Sequence, residues 1–325
     1  MTAAVLRDHP PGPLFAGLDI GGTKIQGVVV DQVGTILATH TVPTVPGPAG
    51  IITGTTHVYA ELRDQLGGAP ICALGVGVPG TVSPDGRVDH AVHVGLDGFD
   101  LRAALADALE TTVTVDNDVN VAALGAAADA GSTRSLALLN VGTGLAVGIV
   151  MDGTIYHGST GVVGEIGHLP VDPTGPACGC GQRGCLELYL SGSGIARMWP
   201  TPSPHAAHDL FAAAATGDAD AVAIVEAFTD RLAWAIQLIA VAIDVDAIVL
   251  GGGVTALGAA VMDPLHARLR TQAAQSRFVA SMNLADRTRS IRPGFPVAAA
   301  GAALHGAAHA RSRPSPAVPT PVNAD

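Results

Sequence analysis

The chain is poor in charge, has a single lysine and carries no excess of basic residues. Charged residues make up only 14% of the 325 residues, and the formal net charge is −11. Because an acidic protein repels phosphate backbones and anionic lipids, we expect neither nucleic acid nor a membrane as a partner. The apolar content of 48% is typical of a compact globular protein and not of a disordered one.

No stretch of the sequence is suited to enter or cross a bilayer. Asn140 and three glycines interrupt the apolar residues 136–151, while Gln237 and two aspartates interrupt residues 232–250. The N-terminus has charged residues and three prolines where a signal peptide needs an apolar core. We therefore expect a cytoplasmic protein.

Three of the four cysteines are clustered. Cys178, Cys180 and Cys185 follow His168 closely, and three cysteines with one histidine form a complete tetrahedral ligand set for zinc. Since no ligand position is left for water, the predicted zinc site is structural and not hydrolytic. Clustered cysteines in a chain of this size indicate metal in a reducing compartment, not disulfides. Cys72 falls in an apolar strand and is predicted to be a core residue.

Two glutamates, Glu165 and Glu187, flank the cysteine cluster. They either support the zinc loop or belong to a binding site that the metal shapes. His168 has two ring nitrogens, so one can bind zinc while the other faces a ligand hydroxyl.

A weak internal repeat predicts two similar lobes. Residues 18–31 align without gaps to residues 139–152, with five of 14 positions identical. Each copy predicts a strand, a Gly/Thr turn and a second strand, and glycine lets backbone N–H groups approach a phosphate closely. The alternative is an ordinary glycine-rich hairpin. Asp19, at the end of the first strand, is a candidate Mg²⁺ ligand through water.

Strands and helices alternate along the chain, which predicts an α/β fold. We expect strands at residues 71–78, 113–116, 136–140, 146–151 and 248–250, and helices at 101–109, 119–129 and 220–243. The domain prediction is a small lobe of residues 14–116 plus about 297–311 and a large lobe of residues 117–296. The large lobe contains the zinc loop, residues 164–187, and residues 1–13 and 312–325 are predicted to be flexible tails.

Asn117 and Asp118 lie where a predicted strand meets a predicted helix. Asx residues are favoured helix N-caps, so capping is one interpretation of Asp118. The other makes Asp118 a base that orients a hydroxyl for attack on a γ-phosphate, a role that depends on positioning more than on proton abstraction. A helix N-terminus is expected to lower its pKa and keep it ionised.

Eight motifs occur in the order seen in the ROK family, which the chain resembles over about residues 15–310. That family contains bacterial glucokinases, other hexose and N-acetylhexosamine kinases, and sugar-responsive repressors. The motifs are Asp19-Ile-Gly-Gly-Thr-Lys24, Gly75-Val-Gly-Val-Pro-Gly80, Asn117-Asp118-Val-Asn120, Gly142-Thr-Gly144, Gly164-Glu165-Ile-Gly-His168, Cys178-x-Cys180-x₄-Cys185, Leu186-Glu187 and Gly251-Gly252-Gly253.

The resemblance implies an actin-like ATPase fold, with two RNase H-like lobes and ATP in a central cleft. By that likeness Asp118 is the catalytic base toward the primary hydroxyl of a hexose, with Mg²⁺ and structural zinc as further cofactors. The sugar-binding residues would be Gly80, Asn117, Asp118, Glu165, His168 and Glu187, and the zinc ligands His168, Cys178, Cys180 and Cys185. The nucleotide-binding residues would be Asp19, Gly21, Gly22, Thr23, Lys24, Gly142, Thr143, Gly144, Gly252 and Gly253.

The sequence departs from the family pattern at a loop that faces the sugar. His93 stands where family sugar kinases usually carry an asparagine, and Leu96 where they carry a tryptophan. His93 is therefore included among the predicted substrate-binding residues. Its side chain can form one hydrogen bond, but it reaches a different distance than an asparagine side chain does. Val119 and Ala126 also differ from the usual residues and are interpreted as scaffold changes.

Other substrates and other classes of protein remain open. The alternatives to a glucokinase-like hexose substrate are another sugar, namely an N-acetylhexosamine or mannose, or a C7-cyclitol, and the phosphate donor is ATP or polyphosphate. A sugar-binding repressor is disfavoured because the first strand begins near Leu14, which leaves no room for a DNA-binding domain, and because the chain is acidic. A sugar sensor without catalysis is disfavoured because Asp118 and both glycine turns are present. The resemblance also predicts a homo-oligomer.

Overall fold

A computed structural model describes residues 12–131 and 134–312. This part of the chain falls into two compact units, one within Met1–Asp116 and Ala302–Asp325 and the other formed by Asn117–Gly301. The predicted tails lie almost wholly outside the described residues.

The first unit is built on a five-stranded sheet. Its elements are β1 (Leu14–Ile20), β2 (Lys24–Val30), β3 (Ile36–Pro43), α1 (Pro48–Gln65), β4 (Ile71–Val78), β5 (Thr81–Val82), β6 (Arg87–Asp89), β7 (Phe99–Asp100), α2 (Leu101–Leu109) and β8 (Val113–Asn117). The main sheet has the order β3-β2-β1-β4-β8, and β5-β6-β7 form a small separate sheet. β1 pairs antiparallel with β2 and parallel with β4.

The second unit repeats this topology with a larger helical layer. Its elements are α3 (Asp118–Ala130), β9 (Ser135–Val141), β10 (Leu145–Met151), β11 (Thr154–Ile155), α4 (Glu187–Leu190), α5 (Gly192–Met198), α6 (Ala206–Ala215), α7 (Ala219–Ile243), β12 (Ala247–Gly251), α8 (Ala259–Gln275), α9 (Arg277–Ser281), α10 (Leu284–Arg287) and β13 (Thr288–Ser290). The last described helix is α11 (Val297–Ser312). The sheet order β11-β10-β9-β12-β13 matches that of the first unit strand for strand.

The matching sheets explain the internal repeat. Each copy of the repeat is an antiparallel hairpin at the centre of its sheet, closed by Ile20 opposite Ile25 in the first unit and by Val141 opposite Leu145 in the second. β1 is buried at six of its seven positions, as expected for a central strand that is covered on both faces. The two turns are called the first glycine turn (residues 21–24) and the second glycine turn (residues 142–144).

The helices that cover the sheets have apolar faces with helical spacing. In α1 the buried residues include Ile51, Val58 and Leu62, and in α7 they include Phe228 and Leu232, in agreement with a 3.6-residue period. α7 begins after the side-chain cap of Asp218 and ends at the left-handed residue Asp244. No helix in the described ranges is both long and apolar enough to span a bilayer.

Candidate active site

The first glycine turn is closed by its own backbone and held by the end of β3. The Gly21 N–H donates to Lys24 O at 2.9 Å, and the Thr44 hydroxyl donates to Gly21 O at 2.6 Å. Asp19 lies half-buried at the end of β1. Gly22 and Thr23 are exposed residues, as a turn that receives phosphate oxygens requires.

The second glycine turn is held more extensively. The Gly142 N–H donates to Gly144 O at 3.0 Å, while the N–H groups of Gly192 and Ser193 donate to Gly142 O and Thr143 O at 2.8 and 3.3 Å. The third glycine run lies directly against it, because a Cβ on Gly252 would be 2.7 Å from Gly142 N. Residues 142–144 and 252–253, which are both predicted to bind the nucleotide, therefore lie next to each other.

Asp118 is the first residue of α3, and the structure assigns the capping role to its neighbour. The Asn117 side chain accepts from the N–H groups of Val119 and Asn120 at 2.9 and 3.3 Å. Asp118 Oδ1 also accepts from Val119 N–H at 2.9 Å. The carboxylate of Asp118 is therefore placed at the helix N-terminus without being needed as the cap.

The prediction that the pKa of Asp118 is lowered is wrong. Burial raises the pKa of Asp118 above its usual value, and the hydrogen bonds from Val119 N–H and from Asn117 reduce that rise without reversing it. The negative charge of Glu165 raises the pKa further. The helix N-terminus stabilises the carboxylate, but removing water from it costs more. A raised pKa makes Asp118 a better proton acceptor than the sequence indicated.

Strand β10 connects Asp118 to residues 164–168, which carry the predicted sugar ligands Glu165 and His168 and are called the polyol-binding loop. Gly148 packs against the first turn of α3, where an added Cβ would overlap Val119 O and lie 2.8 Å from Ala123 Cβ. On the same strand, Val147 N–H donates to Gly164 O at 2.9 Å, one residue before Glu165. The close approach at Gly148 thus sets how far the N-terminus of α3 stands from residues 164–168.

The predicted zinc ligands converge. The ligand atoms of His168, Cys178, Cys180 and Cys185 all lie within 4.8 Å of one another. His168 Nδ1 is 3.8 Å from Cys178 Sγ, and the sulfurs of Cys180 and Cys185 are 3.6 Å apart. In a tetrahedral site with Zn–S bonds of about 2.3 Å, neighbouring sulfurs are about 3.8 Å apart. The grouping of the four side chains is compatible with a single zinc ion.

The pKa values of two thiols in the cluster are shifted in opposite directions by their surroundings. A hydrogen bond from the Gln182 backbone lowers the pKa of Cys180 to about 6, whereas burial raises the pKa of Cys185 to about 12. Gln182 Nε2 also donates to His168 O at 3.0 Å, which ties the histidine to the cysteine loop. Gln182 is a supporting residue that the sequence did not single out.

His168 links the cysteine cluster to Glu165. With Nδ1 toward Cys178, the other ring nitrogen, Nε2, lies 3.9 Å from Glu165 Oε2. The Glu165 and His168 side chains are 56% and 40% exposed, so both can reach a ligand. The two-sided role predicted for His168 fits this arrangement.

Glu187 contacts the second glycine turn. Its Oε2 accepts from Leu145 N–H at 3.0 Å, and a Cβ on Gly144 would lie 2.6 Å from the same oxygen. Sequence reasoning placed Glu187 among the sugar-binding residues and did not foresee the contact with the turn. The spacing of Glu187 and Gly144, 43 positions apart in the sequence, gives no local signal for it.

The remaining predicted substrate residues, Gly80 and His93, lie in the first unit. Gly80 has φ +98°, and an added Cβ would be 2.5 Å from Asp89 O, so glycine is required there. His93 is exposed on the short 3₁₀ turn Val92–Val94, and its Cβ lies 3.3 Å from the Cβ position of Gly22. His93 therefore borders the first glycine turn.

The residues at the other departures from the family pattern are buried. Leu96 is 1% exposed, Ala126 is 2% exposed and Val119 is 8% exposed. The interpretation of Val119 and Ala126 as scaffold positions agrees with this. One core prediction is wrong, since Cys72 is exposed. It occupies the second position of β4, which is the exposed position of that strand.

Comparison with known proteins decides the family. Residues 15–298 match the ROK family. The chain belongs to the ROK family. It is 34% identical over 278 residues to a glucokinase of Halalkalibacterium halodurans, which covers 77% of this chain and 83% of that protein. It is also 34% identical over 261 residues to an N-acetyl-D-glucosamine kinase of Shigella sonnei, covering 74% and 84% of the two chains.

A solved ROK structure shares the fold. The ROK family glucokinase from Streptomyces griseus, in complex with glucose and AMPPNP, superposes with a TM-score of 0.72 and 28% identity, covering 91% of this chain and 99% of that one. The predicted family and the predicted actin-like, RNase H-like α/β fold are therefore confirmed. The two matching sheets are the structural basis of that fold in this ROK protein.

Proposed function

We propose that this ROK protein transfers the γ-phosphoryl group of ATP to the primary hydroxyl of a hexose, with Asp118 as the base. The broader enzyme class, a sugar kinase, is confirmed by the names of its relatives. The observation that supports the finer proposal is Asp118 itself. It is free of the capping role, has a pKa raised by burial and by Glu165, and lies on a helix fixed by β10 to the polyol-binding loop.

Asp118 acts on the substrate hydroxyl. Its carboxylate accepts a hydrogen bond from the hydroxyl and orients the oxygen in line with the γ-phosphorus. As the O–P bond forms and the bond to the ADP leaving group breaks, the hydroxyl proton moves to Asp118. Because the transition state is largely dissociative, orientation contributes more than early proton removal.

The polyol is held by groups that read several hydroxyls. Glu165 and Glu187 offer carboxylate oxygens as acceptors, and His168 offers its Nε2. Asn117 Oδ1 already accepts two backbone N–H groups, so a further contact from Asn117 to a hydroxyl comes from its amide NH₂. Gly80 contributes backbone, and His93 contributes an exposed ring in place of the family asparagine.

The nucleotide phosphates are bound by backbone N–H groups of the two glycine turns, with Gly252 and Gly253 beside the second. Lys24 and Thr23 add side-chain donors at the first turn. Asp19 would hold Mg²⁺ through water, and a bound Mg²⁺ neutralises charge on the transferred phosphoryl group. His168, Cys178, Cys180 and Cys185 would hold zinc, which fixes the loop that carries Glu165 and Glu187.

Two observations keep the substrate choice open within the sugar-kinase class. One relative is named an N-acetyl-D-glucosamine kinase, and His93 replaces a residue that the resemblance assigns to the sugar. An N-acetylhexosamine is therefore the second candidate, with mannose and a C7-cyclitol behind it. ATP is proposed as the donor over polyphosphate because AMPPNP, an ATP analogue, is bound in the solved glucokinase.

A substrate panel tests the proposal. Purified protein with Mg-ATP is assayed for ADP formation with glucose, mannose, N-acetylglucosamine, N-acetylmannosamine and a C7-cyclitol, and with polyphosphate as an alternative donor. We expect ATP-dependent turnover with a hexose and the highest kcat/KM for glucose. Turnover with a cyclitol alone would contradict the hexose assignment and leave the kinase assignment in place.

His93→Asn tests whether the departing loop sets specificity. Because asparagine restores the family residue, we expect kcat/KM for glucose to rise relative to the other sugars by about tenfold, the effect of one hydrogen bond. The matched control is His90→Asn, an exposed histidine three positions earlier whose left-handed φ of 60° asparagine tolerates. An unchanged ratio in the His93 variant means that His93 does not contact the substrate.

A further inference from the structure

One short segment holds the second glycine turn and the residue that follows it, Leu145, at three backbone groups. The Leu145 N–H donates to Glu187, while Gly142 O and Thr143 O accept from Gly192 and Ser193. The three partners lie within eight residues of the predicted zinc ligand Cys185. The backbone of the proposed phosphate-binding turn is thus linked, through direct hydrogen bonds, to the segment that begins with the proposed polyol ligand Glu187.

Glu187 is the side chain in this connection. Its Oε2 is 3.0 Å from Leu145 N, and a side chain at residue 144 would displace it, since a Cβ there would be 2.6 Å from that oxygen. A carboxylate has two oxygens and about four lone-pair directions. One direction is used by Leu145 N–H, which leaves the carboxylate able to accept a substrate hydroxyl at the same time.

We propose that Glu187 is a positioning residue for the second glycine turn as well as a polyol ligand, so that polyol and nucleotide binding favour each other through its carboxylate. The inference rests on the proposed function. A hydroxyl that bonds to Glu187 restricts the carboxylate, which restricts Leu145 N–H and the turn beside it. The first ligand to bind bears the entropy cost of ordering the turn and the carboxylate, so the second ligand binds with a smaller cost. The coupling is reciprocal.

Glu165 provides a matched comparison. It is the other glutamate assigned to the polyol, but its side chain lies beside His168, with Oε2 3.9 Å from Nε2. A purely polyol-binding glutamate should affect polyol affinity alone. A glutamate that also positions the turn should affect nucleotide affinity when no polyol is present.

Titration calorimetry with Mg-AMP-PNP, with and without saturating glucose, tests the inference on the full-length protein. In the wild type we expect glucose to lower the nucleotide Kd several-fold. In Glu187→Ala we expect the nucleotide Kd without glucose to rise about tenfold, as for loss of a hydrogen bond to a charged acceptor, and the effect of glucose to disappear. In Glu165→Ala the nucleotide Kd without glucose should stay within about twofold of wild type.

Two further variants protect the test against misfolding of Glu187→Ala. Glu187→Gln keeps an acceptor for Leu145 N–H, so it should keep the nucleotide Kd and weaken glucose binding. Gly144→Ala displaces the carboxylate and should weaken nucleotide binding. Wild-type nucleotide affinity in Glu187→Ala or Gly144→Ala, or equal losses in the Glu187→Ala and Glu165→Ala variants, would overturn the inference. A wild-type protein that binds no Mg-AMP-PNP would contradict the proposed function itself.

Discussion

Asp118→Asn is expected to lower kcat by about 1,000-fold, the size of a general-base contribution, while leaving the fold intact. Asparagine keeps an oxygen for the Val119 N–H, so the start of α3 should not change. The amide cannot accept the hydroxyl proton. Steady-state assay of ADP formation measures the loss, and KM for the hexose should change far less than kcat because the hydroxyl still has a hydrogen-bond partner.

The same variant should be at least as stable as wild type at neutral pH. The folded-state pKa of Asp118 is raised above its unfolded value, so ionisation destabilises the folded state at any pH above the folded pKa. An asparagine removes that cost, and the advantage should vanish below the unfolded pKa of about 3.9. Thermal unfolding at two pH values measures it. The matched control is Asp129→Asn, on the same helix but paired with Arg292, which should keep activity.

The pH dependence follows from the same shift. Only ionised Asp118 accepts a proton, so kcat/KM should fall as the pH drops through its raised pKa. The acid limb of the profile should lie above the ordinary aspartate value of about 3.9. An Asp118→Asn enzyme with near-wild-type turnover would remove Asp118 from the role of base.

Cys180→Ser should abolish zinc binding and weaken the polyol site more than the nucleotide site. Freshly purified wild-type protein is expected to contain about one zinc per chain. A serine oxygen is a poor zinc ligand. Without the metal, the zinc loop that carries Glu165 and Glu187 is no longer fixed in place. KM for the hexose should rise at least tenfold, roughly the effect of losing a supporting group in a metal site.

The chain offers a matched cysteine for this experiment. Cys72 is exposed on β4, outside the cluster, so Cys72→Ser should keep both zinc and activity. Metal analysis by inductively coupled plasma mass spectrometry gives the zinc content of each variant. Wild-type protein without zinc, or a Cys180→Ser variant with unchanged hexose KM, would contradict the structural role of the metal.

Short sequence patterns correctly predicted the two hairpins, strand β4 and helix α2. Both hairpins of the repeat form as expected, because glycine turns between apolar strands carry their own signal. β4 and α2 have the predicted bounds, residues 71–78 and 101–109. α1 was missed because glycine and threonine interrupt its helical pattern, and α8 because Pro264 lies inside it.

Long-range contacts were beyond sequence reasoning. The zinc ligands could be grouped because they are close in sequence, but the contact of Glu187 with Leu145 joins residues 42 positions apart. The pKa error at Asp118 has the same origin, since the burial that raises it depends on packing. The cytoplasmic location and the homo-oligomer stay predictions.

The most direct test of the account is to identify the product. Purified protein, Mg-ATP and the preferred hexose are incubated to completion, and the sugar is analysed by phosphorus and proton NMR. We expect one phosphate ester on the primary hydroxyl, formed by wild type and not by Asp118→Asn. Hydrolysis of ATP without a sugar ester, or an ester formed equally well by Asp118→Asn, would contradict it.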